Sequence, residues 1–280
     1  MIGEIIKNGW RSWRNHKVSG IPFFISGIMS SMIFLIAIVS VVHIISPEFF
    51  GLAFSGKITE EYIVGLFKRY LENLNVIFLV AVAAILAFIV VDTFLRAWGI
   101  KVCSDSLDCR VNLLEGVKYA KQRFVSFFIF NILVSTIVLA TLTPLYFIFR
   151  GINWANDEEV VIAVVYSLTY GFIWLALVMA IYFILTFVPY AIVLDREGIL
   201  GGVKRGFRVL SKSLAETVIM WLVVALAGMA VSIPLYPLKF LGTVGEIASF
   251  VLTTLLTWLV VTPITTMWWI DLYRRKAPQL

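Results

Sequence analysis

Of the 280 residues, 61% are hydrophobic and only 14% charged, where a soluble domain carries about 45–50% apolar and 25% charged residues. A chain of this size has no interior large enough to hide that much apolar surface, so the composition excludes a soluble globular protein and calls for lipid. The net charge of +6 and a pI near 9.3 would suit nucleic acid in a soluble protein. Here the basic residues flank apolar runs, which points to anionic headgroups as partners and away from nucleic acid.

A basic segment, Met1 to Gly20, opens the chain. The apolar run after it is too long for the h-region of a secretory signal, and no small-residue cleavage site precedes the next loop. The first span is therefore expected to stay as an anchor. Runs of about 20 apolar residues cross hydrocarbon as helices, because only a helix satisfies its own backbone there. Six are read: Ile21–Ile45, Leu74–Leu95, Phe124–Phe149, Val160–Leu194, Leu214–Leu238 and Ile247–Ile270. The fourth exceeds one straight span and is expected to tilt or to run past the membrane. Between the first two, Ile58, Tyr62, Leu66 and Tyr70 recur at helical spacing and predict a short helix on the outer surface.

Lys and Arg set the orientation. Eighteen of the 23 fall in the N-terminal segment, the second and fourth loops and the C-terminal tail. The remaining five, Lys57, Lys68, Arg69, Arg150 and Lys239, fall in the alternate loops. The richer side is expected to be cytoplasmic, with both termini on it. Glu60, Glu61, Asp157, Glu158 and Glu159 lie on the other side.

The cytoplasmic segments share a register. At about 100° per residue, Ile2, Ile6, Gly9, Trp10 and Trp13 take one helical face and Lys7, Arg11, Arg14 and Asn15 the other. Ile199, Val203, Gly206, Phe207 and Leu210 repeat the first face, and Lys204, Arg208, Ser211 and Lys212 the second. A third copy starts near Leu113: Leu114-Glu115-Gly116-Val117-Lys118 matches Leu200-Gly201-Gly202-Val203-Lys204, although Lys121 stands where the others place an aromatic. Thr143-Pro144-Leu145-Tyr146 closes the third span as Ile233-Pro234-Leu235-Tyr236 closes the fifth, and Pro47 ends the first. Pro189 and Pro263 mark the fourth and sixth spans near their cytoplasmic ends; the second has no proline. These matches predict one membrane domain, 1–280, of three units at about 1–95, 96–190 and 191–280. Each unit is a basic amphipathic helix followed by a transmembrane hairpin. Even span counts make the units parallel, unlike the inverted repeats of many transporters. Each amphipathic helix is expected in the inner interface, with Trp10 and Trp13 at headgroup depth.

The stretch Val188-Pro189-Tyr190-Ala191-Ile192-Val193-Leu194-Asp195, with Gly198-Ile199 and Val203-Lys204-Arg205-Gly206-Phe207-Arg208, resembles a broad group of six-span bacterial and archaeal membrane proteins. The group includes the membrane domain attached to some glycerophosphodiester phosphodiesterases. The resemblance implies the fold and a bacterial or archaeal source. No counterpart of the soluble phosphodiesterase domain lies in these residues, so hydrolase activity is not carried over.

Ionisable residues in a span are candidates for function, because their burial is costly. Asp92 and Arg96 sit at i, i+4 near the inner end of the second span. A buried pair there gates a path or holds a headgroup; near the interface, Arg96 can equally snorkel and neutralise Asp92, and that structural role is favoured. Glu216 opens the fifth span, where an acidic residue in a first turn is stabilising anyway. Asn131 and the Ser and Thr residues of the third, fourth and sixth spans suit interhelical hydrogen bonds. Asp195 and Asp271, beside Arg196 and Arg274, read as boundary residues. Five residues separate Cys103 from Cys109, with no nearby histidine, which is not a zinc spacing. His43 near the outer end of the first span reads as a packed or interfacial residue. The zinc-protease, phosphate-loop and nucleophile-elbow motifs are absent.

The fold class is thus all-α. The leading expectation is a non-enzymatic protein of the cell membrane that organises lipid or a protein partner through a basic cytoplasmic face: Lys7, Arg11, Lys118, Lys204, Arg205 and Arg208. The alternative is a permease for a small or amphipathic molecule, with Asp92, Arg96, Asn131 and Glu216 as its intramembrane polar residues. An integral membrane enzyme ranks third. No catalytic set, metal or cofactor is expected.

Overall fold

The computed structural model describes residues 1–57, 59, 62–63, 65–66, 69–70, 73–144 and 157–277, and all regular structure among them is helical. In chain order the helices are α1 (Ile2–Asn15), α2 (Ile21–Ile45), α3 (Phe49–Phe54), α4 (Leu74–Leu107), α5 (Leu113–Ala140), α6 (Asp157–Ile184), α7 (Val188–Leu194), α8 (Ile199–Lys212), α9 (Leu214–Leu235), α10 (Gly242–Leu256) and α11 (Thr262–Lys276). A π-helical turn, Thr257–Val261, joins the last two. Among the described residues, six stretches are long and apolar enough to cross a membrane. The molecule is a multi-pass membrane protein.

Two kinds of packing alternate along the spans. Their middle and far parts present large apolar side chains outward; Leu35, Ile36 and Ile38 are each 61% exposed. In hydrocarbon such surface gains nothing from being hidden, because lipid tails are as apolar as leucine. The buried core gathers instead at the end that carries both termini. It is built from Ala97–Cys103 of α4, Phe187–Val193 around α7, and Ile264–Tyr273 of α11. The 34 residues of α4 measure about 51 Å at 1.5 Å per residue, well beyond a hydrocarbon layer of about 30 Å. The excess lies at this basic end, where water supplies a hydrophobic driving force. Full burial of Phe187, Ile270 or Leu272 stabilises by about 1.5–3 kcal/mol each. The fold is therefore held chiefly by a packed cap at one end of the bundle.

The basic segments α1 and α8 and the start of α5 complete the cap by docking through small residues. A Cβ at Gly9 of α1 would lie 2.4 Å from Trp268 Cδ1 of α11. One at Gly116 of α5 would lie 2.8 Å from Trp98 Cδ1 of α4, and one at Gly206 of α8 would lie 2.8 Å from the Val188 nitrogen of α7. In two of these contacts the facing side chain is an indole. Trp268 Nε1 donates to the Ile6 carbonyl at 3.2 Å and Trp98 Nε1 to the Leu113 carbonyl at 3.1 Å. In both cases the acceptor stands three residues before the glycine. The buried stripe of α1 is Ile5, Gly9 and Ser12. It is rotated from the stripe Ile2, Ile6, Gly9, Trp10 and Trp13, and Trp10 is 51% exposed. The rotation follows from the neighbour: close approach needs the small Gly9 and Ser12 at its centre, and leaves the large Trp10 on the rim.

Several boundaries differ from the sequence reading. The second span ends at Leu107 rather than Leu95, because the polar residues after Arg96 are sheltered by protein. Lys101 meets Asp105 at 2.6 Å, and the Ser106 hydroxyl donates to the Val102 carbonyl at 2.8 Å. The middle basic segment and the third span form one unbroken helix, capped by Asn112 Oδ1, which accepts from the Leu114 and Glu115 amides at 3.1 and 3.2 Å. That span ends at Ala140; Leu145, Tyr146 and Phe149 lie outside the described residues, as do Ile58, Glu60, Glu61, Lys68 and Arg150. The over-long fourth span breaks between Ile184 and Val188, next to Pro189. The sixth starts at Gly242 and loosens into the π turn before Pro263. In the segment after the first span, Tyr62, Leu66 and Tyr70 are helical; the Tyr62 ring stacks on Phe49 at 6.4 Å, and its hydroxyl bonds to Ser46.

A candidate intramembrane binding site

A cavity of about 740 Å³ lies among the spans, directly above the cap. All six contribute to its wall, through Phe23, Phe88, Phe130, Tyr182, Trp221 and Trp258 among others. Such a volume is in the range of small-molecule sites, which combine apolar walls with a few placed polar groups. Its polar groups include Ser26, Ser30, Asp92, Arg96, Asn131, Ser135, Thr186 and Thr262.

The two interrupted spans meet at this cavity. Thr186, in the gap between α6 and α7, accepts from Trp221 Nε1 at 3.2 Å. In the sixth span the Thr257 hydroxyl donates to the Thr253 carbonyl at 2.8 Å and the Thr262 hydroxyl to the Thr257 carbonyl at 2.9 Å. The Thr257 carbonyl also accepts from the Thr262 amide five residues on, and Trp13 Nε1 of α1 donates at 3.0 Å to the Leu259 carbonyl, four residues before Pro263, which has no N–H to give it; such partners let a broken helix survive in lipid. Pro189 and Pro263 were visible in the sequence, but the π turn had no sequence signal beyond its threonines. The hydroxyls of the first span, Ser26 and Ser30, were likewise not singled out.

Asp92 and Arg96 both line the cavity, yet they do not pair with each other. Asp92 accepts one hydrogen bond, from the Ser26 hydroxyl at 3.5 Å. Arg96 makes no ion pair or hydrogen bond among the described residues. Asn131 donates from Nδ2 to the buried Thr93 hydroxyl at 2.8 Å, joining α5 to α4 at the same level. Glu216 lies away from the cavity, where its carboxylate meets Lys276 at 2.8 Å. That partner is 60 residues on, and nothing in the local sequence names it.

The remaining charges knit the cap. Asp195 accepts from the Tyr273 hydroxyl and meets Arg205 Nε at 2.6 Å, while Arg205 also lies 3.6 Å from Glu197. Asp271 holds Arg275 at 2.8 Å. Arg274 reaches Asp108 with two nitrogens, at 2.8 and 3.0 Å. Local neighbours Arg196 and Arg274 are thus not the partners of Asp195 and Asp271; helix packing supplies others. Arg205 is occupied in this network, whereas Lys7, Arg11, Lys118, Lys204 and Arg208 are exposed and make no ion pair among the described residues. A second recess of about 510 Å³ lies within the network, with Tyr119 flanked by Lys101 and Arg196 at 5.2 and 5.5 Å.

Cys103 is buried in α4, its thiol 3.6 Å from the Pro263 carbonyl. Cys109, at φ +55°, closes the same helix, with the Arg110 amide donating to the Asp105 carbonyl at 2.9 Å. The two are free thiols at a helix end. Among the described residues no three His, Cys, Asp or Glu gather in a way that could hold a metal.

An uncharacterised protein of Archaeoglobus fulgidus is 34% identical over 292 aligned positions, which cover all of this chain and 97% of the relative. No family model matches the chain, and no solved structure matches it.

Proposed function

The chain belongs to the same family as that Archaeoglobus fulgidus protein, and we propose that it is a permease that takes a small or amphipathic molecule into the cavity between its spans. One observation carries this reading. Asp92, Arg96 and Asn131 line a cavity shared by all six spans, at the level where the fourth and sixth are interrupted beside Pro189 and Pro263. Paired interruptions in corresponding spans are a recurring mark of substrate sites in transporters. Chemistry at such a site is reversible binding by hydroxyls, a carboxylate and a guanidinium.

Cysteine accessibility tests it. In a Cys103→Ala, Cys109→Ser background, Ser30→Cys and Ser135→Cys should react with a small water-soluble thiol reagent, while Leu35→Cys on the lipid-facing surface should not. If all three are equally inert, the bundle is dry and the permease reading fails.

The second reading, a basic surface that organises anionic lipid or a protein partner, is supported by five exposed cations, Lys7, Arg11, Lys118, Lys204 and Arg208, that make no ion pair among the described residues. It places the cap on the cytoplasmic side of the cell membrane, with both termini there. Replacing Lys7, Arg11, Lys204 and Arg208 by Gln should then weaken retention of anionic over neutral lipid. Unchanged retention removes this role. The three-unit organisation, and kinship with the phosphodiesterase-linked membrane domains, belong to the same proposal. The docking of α1 on α11, of α5 on α4 and of α8 on α7 supports the repeat, since each basic helix packs on the inner end of an even-numbered span. The first unit would then close the ring on the last.

A further inference from the structure

We infer that the cavity takes a zwitterionic ligand, whose anionic group meets Arg96 and whose cationic group meets Asp92; this rests on the permease reading above. Asp92 and Arg96 are the only charged side chains that line the cavity among the described residues. They stand one helical turn apart, about 6 Å along the axis. Oppositely charged residues at this spacing on a helix ordinarily close on each other. Elsewhere in the molecule they do: Lys101 and Asp105 meet at 2.6 Å, and Asp271 and Arg275 at 2.8 Å. Asp92 and Arg96 share the spacing and stay more than 4.0 Å apart, with one Ser26 hydroxyl at 3.5 Å as the sole hydrogen-bond partner of the two among the described residues.

Asp92 is half-buried and Arg96 exposed on the cavity wall, and with their charges apart each is short of a counter-charge. A ligand with a single charge would satisfy one and leave the other uncompensated. A ligand with both satisfies both, and the loaded site carries no net charge, which favours passage through hydrocarbon. One further turn from Arg96, past Asp92, Phe88 faces Phe34 with ring centroids 5.5 Å apart. An aromatic wall at that end suits an alkyl tail. The head can belong to a free zwitterion or to a lipid-like molecule; the chemistry at Asp92 and Arg96 is common to the two.

Probes that share a tail and differ in head charge decide between these. Trp221, Trp258 and Trp269 line the cavity, so the full-length protein in neutral maltoside micelles reports occupancy by its own fluorescence. Dodecylphosphocholine should bind at least about tenfold more tightly than dodecyl phosphate or dodecyltrimethylammonium. Asp92→Asn should abolish its preference over dodecyl phosphate, and Arg96→Gln its preference over dodecyltrimethylammonium. Asp92→Glu and Arg96→Lys should keep most of both, and they serve if the neutral variants misfold. Saturation by phosphocholine without a tail assigns a free zwitterion; a need for the tail assigns a lipid-like one. Dodecyl phosphate binding as tightly as dodecylphosphocholine, unchanged in Asp92→Asn, would overturn the zwitterion and leave the cavity intact. No response to any probe, together with inert cysteines at 30 and 135, would remove the cavity reading itself.

Discussion

Gly206→Ala places a methyl group where α8 rests on the backbone of α7. Its Cβ would lie 2.8 Å from the Val188 nitrogen and 3.0 Å from its Cα, against an ordinary contact of about 3.5–4.0 Å. Backbone atoms cannot rotate away, so the two helices must part by roughly 0.5–1 Å. Overpacking of this kind costs about 1–3 kcal/mol, while alanine returns about 0.5–1 kcal/mol through its better helix propensity. The balance is a destabilisation of about 1 kcal/mol at mid-range and at most about 2.5 kcal/mol. At about 2–4 °C per kcal/mol for a chain of this size, the melting temperature should fall by about 2–4 °C at mid-range and at most about 10 °C. Cys103 provides the assay, being fully buried in the cap while Cys109 is exposed. With Cys109 replaced by serine, a thiol-reactive dye reports the opening of the cap on heating. Gly3→Ala is the control, since no atom lies within 4 Å of its Cβ position; it should melt at or slightly above the parent. If Gly206→Ala also melts at or above the parent, α8 is not held by close backbone contact and the account of the cap is wrong.

Trp268→Phe removes the indole donor to the Ile6 carbonyl, worth about 0.5–1.5 kcal/mol, and should speed tryptic cleavage at Lys7 and Arg11 several-fold; an unchanged rate would show that α1 does not depend on it. Glu216→Gln leaves Lys276 without its carboxylate and should destabilise by about 1 kcal/mol, allowing for partial exposure of the pair. A double-mutant cycle with Lys276→Met that shows no coupling would refute the pair. On the opposite end, Arg69 donates to Glu48 at 2.9 Å and holds that carboxyl below its ordinary value of about 4.5. A depressed carboxyl contributes to folding above that ordinary value, and the contribution fades as pH falls through the lowered one. Proteolysis of residues 46–70 should therefore rise with acidification below about pH 4.5, and Glu48→Gln should flatten the response; a variant that keeps the acid step disproves the assignment.

The six spans and the all-helical class were legible in the residues alone, because hydrocarbon leaves a chain few choices. An apolar run of the right length must be a helix, whatever its neighbours. The positions of Gly9, Gly116 and Gly206 were also visible, as members of matching registers. What each touches was not, since a register gives a face and no partner. The same limit explains the end of the second span. Hydropathy stops at Leu95, and only protein packed around Trp98, Val102 and Cys103 carries the helix on to Leu107.

Asp92 and Arg96 show where sequence ends and tertiary structure begins. Their spacing was enough to place both on one face of one helix, and spacing alone predicts that they neutralise each other. Whether they do is settled by the helices around them. Ser26 approaches Asp92, the broken fourth and sixth spans open a cavity in front of both, and the two charges stay apart. Sequence by itself determined that this chain lives in a membrane as six helices, because backbone hydrogen bonding in lipid is a local requirement. The cap, the cavity and the partners of each charge were decided only in three dimensions, because they depend on residues up to 271 positions apart being brought within a few ångströms, as Glu4 and Arg275 are at 3.2 Å.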